Sequence, residues 1–405
     1  MHRFAALFRN LLEPVDMSIK HWKRALFILS LGLVLGIVPA HGQHHGDITH
    51  DSVPAPAEAI AHAGHEADHG HQDQGFNAGE MITEHILDAH EWHIADIGKL
   101  HLTVPLPVIL WDRDEGQLVS FCSGKFHHGH ESYRGYMLAH EGPNKGKIVK
   151  VLPGTMEQDM DAALPLDFSF TKNVLGIFVS IIILLVVFIS AARRYARHPG
   201  APKGLQSVLE PLILFIRDDI VIPSIGEKRY MRYMPFLLTL FFFIFLNNLL
   251  GLVPIFPGGA NVTGNIAVTM VLALFTFVIT SFSGNKAYWM HIVNAPGVPW
   301  WLKIPVPLMP IVELIGVFTK PFVLMVRLFA NITAGHIIML GFISLIFIFG
   351  EMHAALGYGV SVISIAFSIF MYLLELLVAF IQAYVFTLLS ALYFGMATEE
   401  HAHEH

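Results

Sequence analysis

Residues 308–349 read LMPIVELIGVFTKPFVLMVRLFANITAGHIIMLGFISLIFIF, and this stretch decides the fold. It is almost wholly apolar, yet it carries Glu313, Lys320, Arg327, Asn331 and His336. As one helix the stretch spans roughly 63 Å at about 1.5 Å per residue, whereas the hydrocarbon core of a bilayer is about 30 Å thick. It must therefore tilt steeply or break, with Pro310 and Pro321 as the candidate breaks. Glu313, Lys320 and Arg327 recur at heptad spacing on one helical stripe, and Asn331 extends it at i+4. A guanidinium keeps its proton in a protein. One at the middle of a membrane helix costs about 2.5–3.5 kcal/mol on insertion scales. Near a helix end it can snorkel to the interface, but here apolar sequence continues well beyond Arg327, as far as Phe349. The sharper reading is a charge that faces protein or water.

A second stretch, Tyr358–Met396, is equally apolar, and its only charge is Glu375. Ser361, Ser368, Glu375 and Gln382 recur at heptad spacing and share one face. Folding the two stretches into an antiparallel hairpin about the loop Gly350–Gly357 puts its centre near Ala354. Arg327 precedes that centre by almost the same length of chain as that by which Gln382 follows it, so they arrive at one depth. His336 and Glu375 are also separated from the centre by similar lengths, and arrive near one level, closer to the loop. Two polar pairs stacked along a membrane hairpin describe an ion path. His336 lies about half a turn out of phase with Arg327, so the two face opposite sides of their helix.

The strings KPFVLMVRLFANITAGH and LLELLVAFIQAYVFTLLSALYF resemble the a subunit of the rotary F-type ATP synthase, over roughly residues 165–400. The resemblance implies that Arg327 faces the rotating c ring, and it matches Asn331 and Gln382 to the family's asparagine and glutamine. The family has a polar residue near Asn247 lining its outer path, and the alternative is a buried asparagine that serves as an interhelical hydrogen-bond partner. Glu313 and Lys320 also fall on family positions and support the polar stripe. Some members carry Glu where this chain has His336 and His where it has Glu375. A jointly exchanged acid–base pair argues for contact between the two sites. The chain ahead of the first span departs from the short family pattern.

Composition agrees with the class. Hydrophobic residues make up 54% and charged residues 14%, which describes an all-α polytopic membrane protein rather than a large soluble enzyme. The single cysteine, Cys122, excludes an internal disulfide and a cysteine-based metal cage. No GxxxxGK[ST] loop is present, so nucleotide is expected to be bound elsewhere; no cofactor, metal or nucleic-acid partner is expected of this chain either.

The N-terminal segment 1–42 reads as an export signal: Lys20, Lys23 and Arg24, then apolar Ala25 to Val38, then small residues before Gln43. Residues 43–79 form a polar, histidine-rich linker without apolar periodicity. Residues 80–165 are expected to form a small external accessory region. Within it MITEHILDAHEWH predicts a short helix, and HLTVPLPVILW and QLVSFCSGKF predict strands.

The membrane domain, 166–396, is expected to hold about five helices, with a strongly tilted C-terminal hairpin and a cytoplasmic tail at 397–405. The first span is Val174 to Ala192, the second Pro235 to Ile255, the third Asn265 to Phe282, and Leu205 to Ile222 reads as an interfacial helix. Lys and Arg crowd the stretch Arg193–Arg232 and are missing from Pro254–Gly264 and Gly350–Gly357, which orients the set. The N-terminal region then lies outside the inner membrane and the C-terminus in the cytoplasm.

The resemblance implies a stator with two half-channels serving the c ring. Arg327 would be the barrier, and Glu375, His336, Asn331, Gln382, Asn247 and Ser368 the proton path. It implies as partners the c ring, b-type stalk subunits, the rest of the synthase and membrane lipid. The competing reading is a secondary cation or metal transporter with a histidine-rich sensing tail. It predicts paired broken helices in internal repeats, and no such repeat stands out.

Overall fold

The computed structural model describes residues 88–97, 100–129, 131–139, 144–152, 155–197, 203–253, 258–293 and 308–399, with isolated positions at 78, 79 and 82. The export signal, the histidine-rich linker and the last residues of the tail lie outside the described residues.

The chain enters as a small β unit. Strands β1 (Glu91–Ile97) and β2 (Leu100–Pro105) pair antiparallel, with an irregularity between His93 and Ala95. Strand β3 (Pro107–Trp111) is central in a second sheet, between β4 (Leu118–Cys122) and β7 (Leu166–Asp167). A separate ladder joins β5 (Tyr136–Leu138) to β6 (Ile148–Lys150). The period-2 alternation of β3 buries Val108 and Leu110 while Pro107 and Trp111 face out. Phe126, Tyr136 and Ile148 complete that core. Two expectations are corrected here. The segment Glu91–His93 is strand rather than helix, because Trp92 gains a ladder partner in Val104 and a buried site at 2% exposure. The SGKF end of the predicted β segment QLVSFCSGKF turns into a short helix, Ser123–Gly129.

The rest of the described chain is helical. Helix α1 is Lys172–Arg197, and α2 is Leu205–Phe215. A π-helical turn, Ile216–Val221, carries α2 into α3, Ile222–Ile225, so the predicted interfacial helix runs beyond Ile222. Next come α4 (Tyr230–Leu252), α5 (Ile266–Ser283) and α6 (Lys286–Val293). The chain closes with α7 (Leu308–Met352) and α8 (Ala354–Thr398), each of 45 residues. Five of these are long and apolar enough to cross a membrane: α1, α4, α5, α7 and α8.

Helix α4 is the most enclosed of the five because FLLTLFFFIFLNNLL presents apolar side chains all round. Its Phe241 and Phe243 are fully buried, and Tyr233 stacks on Phe394 of α8 with centroids 5.0 Å apart. Helix α5 starts where the Asn265 side chain accepts from the Ala267 amide at 2.9 Å.

The long hairpin does not break at either proline. Pro310 lies in the first turn of α7, where no amide is missed, and Pro321 is absorbed inside it. A helix of this length is about 68 Å long. In a hydrocarbon layer about 30 Å thick it must lie far from the membrane normal or project beyond it.

Candidate functional site

The hairpin turns on one residue. Helix α7 ends at Met352, His353 caps α8 by accepting from the Ala355 amide at 3.2 Å, and α8 begins at Ala354. The two helices meet closely beside the turn. A Cβ on Gly357 would fall 2.7 Å from the Gly350 Cα, so no side chain fits there. Further in, Phe342 stacks on Phe367 at 5.3 Å. Arg327 and Gln382 lie equally far along the chain from these two rings, on the side away from the turn, so the same register places them at one level.

His336 and Glu375 meet between these levels. Nε2 of His336 lies 3.7 Å from Oε1 of Glu375, within ion-pair range but longer than a hydrogen bond. Glu375 is 5% exposed, and neither carboxylate oxygen accepts a hydrogen bond among the described residues. Its carboxylate rests against Gly335, where a Cβ would lie 2.9 Å from Oε1. Gly251 of α4 closes the site, since a Cβ there would lie 3.8 Å from His336 Nε2. The Tyr372 hydroxyl donates to the Leu252 carbonyl and pins α8 to the end of α4. Ser368, one heptad from Glu375 toward the turn, also has a sealed oxygen without a hydrogen-bond partner among the described residues. A buried carboxylate left unsatisfied is costly and marks a working site more often than a packing element.

Arg327 points the other way. It is exposed, as is Asn331 one turn on, on a face whose neighbours Val323 and Val326 are also exposed. Among the described residues no hydrogen bond or ion pair holds its guanidinium. Gln382 is buried, and no hydrogen bond joins it to Arg327 among the described residues. The register brings the pair level without bringing the side chains together. Half a turn thus separates Arg327, on the open face, from His336, on the enclosed one.

The rest of the charged stripe occupies the other half of the hairpin. Lys320 Nζ sits 5.8 Å over the Tyr393 ring. Lys320, Tyr393, Tyr288, Thr276, Thr280 and Ser281 line a small cavity between α5, α6, α7 and α8. Glu313 is in electrostatic range of Tyr288 at its edge.

Asn247 is buried at 1% exposure, and its Nδ2 donates to Ser180 Oγ at 3.2 Å and to the Phe243 carbonyl at 2.8 Å. Its amide therefore ties α4 to α1, while its Oδ1 is buried without a hydrogen-bond partner among the described residues. Heptad spacing passes over its neighbour Asn248, although a doubled asparagine in an apolar run is a signal. Asn248 donates to the Ala379 carbonyl at 3.2 Å and accepts from Thr263 at 2.5 Å, joining α4 to α8 one turn from Glu375.

A family model described as ATP synthase A chain matches residues 174–395, the helical region that carries this site. The chain belongs to the ATP synthase a-subunit family. Its relatives include ATP synthase subunit a 2 of Prosthecochloris aestuarii, 38% identical over 387 residues and 94% of each chain. Subunit a 2 of Chlorobium luteolum is 36% identical over 400 residues, 96% of each chain. Subunit a 2 of Chlorobaculum tepidum is 47% identical over 239 residues, covering 57% of this chain and 64% of the relative. A second family model, a domain of unknown function (DUF8433), matches residues 81–168, the β unit. The chain is thus a multi-pass membrane channel subunit, the proton-channel stator of F0, not itself catalytic, with the c ring and the rest of the synthase as its partners. The transporter alternative is set aside by the same match.

Proposed function

We propose that the hairpin carries two half-channels separated by Arg327, and that His336 and Glu375 form the outer one. The observation that carries this reading is the sealed 3.7 Å contact between an imidazole and a carboxylate that has no other partner among the described residues. Both groups can take up and release a proton. Arg327 cannot, and its exposed position on an apolar face suits a partner that slides past. In the family mechanism each c subunit brings a carboxylate to this face. It is protonated from the outer half-channel, travels through lipid in neutral form, and discharges on the other side of the barrier. Ser368, on the turn side of Glu375, extends the outer path. Asn331 shares the ring-facing surface with Arg327, and Gln382 backs it from α8 at the same level. Asn247 supports the outer path by holding α1 against α4. Glu313 and Lys320 belong to the inner half, beside the cavity near Tyr393.

The orientation follows from the loop charges: β unit outside the inner membrane, C-terminus in the cytoplasm. The division into a cleaved signal (1–42), a linker (43–79), an accessory region (80–165), a membrane domain (166–396) and a tail (397–405) belongs to the same reading. So do b-type stalk subunits and lipid as neighbours, and nucleotide bound on other chains.

The test is passive proton flux through the assembled complex under an imposed potential. Glu375→Gln should reduce it strongly, because an amide cannot carry a proton. Wild-type flux in that variant would remove Glu375 from the path.

A further inference from the structure

The β unit does not hang free of the helices. Trp92 of β1 belongs to the same buried apolar cluster as Val174, Ile177 and Phe241, and Val104 of β2 packs against it. The segment just before β1 caps the first span. The Lys172 amide donates to the Ala89 carbonyl at 2.9 Å, and the Asn173 amide donates to Asp88 Oδ1 at 3.0 Å. Thr171 Oγ1 accepts from the Val174 amide at 3.4 Å, completing the cap.

A cap uses only one carboxylate oxygen. The other, Asp88 Oδ2, is sealed from solvent and has no hydrogen-bond partner among the described residues. Its surroundings are rich in titratable groups. His90 is in electrostatic range of Asp88, and His90 Nε2 lies 2.7 Å from Asp167 Oδ2. Lys172 is in electrostatic range of both Asp88 and His336. His336 in turn contacts Glu375. Protonatable groups in electrostatic range of one another thus connect the β unit, across the start of α1, to the centre of the hairpin. The two carboxyls at the β-unit end differ in character. Burial pushes the Asp167 carboxyl up, but the His90 imidazole and the donors of Ser169 outweigh it and hold it below the usual range. Burial pushes the Asp88 carboxyl up, and the Thr171 side chain, the amides of Asn173 and Ala89 and the nearby His90 only partly offset it.

We propose that the β unit is the cap of the outer half-channel and that Asp88 is its proton-collecting carboxylate, passing protons toward His336 and Glu375. The proposal rests on the outer-path reading above and adds a function for the extramembrane region. A carboxyl anchored through Oδ1 by the Ala89 and Asn173 amides, with its Oδ2 unbonded and the Thr171 hydroxyl nearby, is fixed in place yet able to bind a proton. Held above the usual carboxylate range, it gathers protons where their bulk concentration is low. Lys172, beside it, keeps the mouth from holding several protons at once.

The experiment uses the complete complex reconstituted in vesicles, with ATP synthesis followed as the pH on the β-unit side is varied at fixed total driving force. Asp88→Asn keeps the Oδ1 acceptor and hence the cap, and removes only the proton site. The expected result is a loss of about tenfold at alkaline pH, shrinking toward wild type at acid pH, with Asp88→Glu restoring most of the rate. Lys172→Gln leaves Asp88 and its amide partners in place. Losing the neighbouring cation pushes the Asp88 carboxyl still higher, so the whole profile should move toward alkaline pH. Wild-type profiles in both variants overturn the proposal. So does a pH-independent loss shared equally by Asp88→Asn and Asp88→Glu, which is the signature of a cap alone. Glu375→Gln separates the two levels. If it blocks synthesis while Asp88→Asn is silent, only the cap proposal falls; if it too is silent, the outer path itself is misplaced.

Discussion

His336 on α7 and Glu375 on α8 face each other at 3.7 Å, with the carboxylate lodged against the bare backbone of Gly335. The contact is long for a hydrogen bond and short for an accident of packing. It leaves both oxygens free to take a proton while keeping the imidazole close enough to feel the charge. Glu375→Leu should therefore nearly abolish proton flux. The exchange His336→Glu with Glu375→His should retain more flux than either single change, since touching groups are not additive. Additive losses in a vesicle pumping assay would argue that the two act separately. Gly335→Ala is a finer probe. Its Cβ displaces the carboxylate without altering any titratable group, so flux should drop while the assembled complex persists.

The turn end of the hairpin depends on glycine for a different reason. Gly357→Val drives a side chain into the Gly350 backbone and should cost about 1–3 kcal/mol. Gly359→Ala, slightly further along α8, meets nothing within 4 Å and replaces a helical glycine, so it should be neutral or stabilising by about 0.5–1 kcal/mol. Thermal dissociation of the purified complex reads both. Equal behaviour of the two variants would mean that the helices do not touch there.

In the β unit, Asp112 directly follows β3 and is 1% exposed. It accepts from the Asp114 and Glu115 amides, from the Tyr136 hydroxyl and from Lys150 Nζ at 2.7 Å. Burial pushes this carboxyl up, but Lys150 and Tyr136 outweigh that and hold it far below the usual carboxylate range. A depressed acid stabilises the fold at neutral pH, and that stability is lost as pH falls below the ordinary carboxylate range. Hydrogen-exchange protection in β3, β5 and β6 of the intact complex, taken relative to the intrinsic amide rate at each pH, should fall on acidification. Asp112→Ala should lower it at neutral pH by an amount equivalent to about 1.5–3 kcal/mol. If the variant exchanges like wild type at pH 7, this cluster does not hold the unit together.

The hairpin was legible because its information is periodic. Heptad spacing set the faces, and the symmetry of two long apolar runs set the depths, so the shared level of His336 and Glu375 could be read from spacing, while their contact was argued from the exchanged pair in the resemblance. The turn falls at His353 rather than Ala354, with no effect on the pairing. Of the two options, tilt or break, the helix takes no break: Pro310 falls in its first turn, where no amide is missed, and Pro321 is tolerated inside it beside neighbouring helices. Glu91–His93 misled because local helix propensity was outweighed by a tertiary site for Trp92. Asp88 and Lys172 were invisible because they are far apart in the chain, and no local pattern links the start of the accessory region to the start of a span. Asn247 had two readings, outer path by resemblance and interhelical hydrogen-bond partner by residue type, and its Nδ2 makes the second kind of contact, between α1 and α4.

Arg327 gives the sharpest test, because geometry separates its effect from that of folding. It is exposed on α7, makes no hydrogen bond or ion pair among the described residues, and stands level with Gln382 by the register of the Phe342–Phe367 stack. Removing it therefore breaks no hydrogen bond or ion pair among those residues, and the variant should accumulate and assemble normally. Arg327→Ala should abolish ATP-driven pumping and ATP synthesis, since no fixed positive charge remains to draw the proton from a passing carboxylate. It should also open a passive leak, since nothing then keeps the half-channels apart. Arg327→Lys retains a charge, but as a compact ammonium that can lose its proton when desolvated. Lysine should thus limit the leak better than alanine while failing to restore coupled turnover. A purely structural arginine predicts the opposite pattern: low abundance, and equal damage from both changes. Proton flux under an imposed potential, normalised to assembled complex, decides between them, and normal coupled synthesis by Arg327→Ala would reject the barrier.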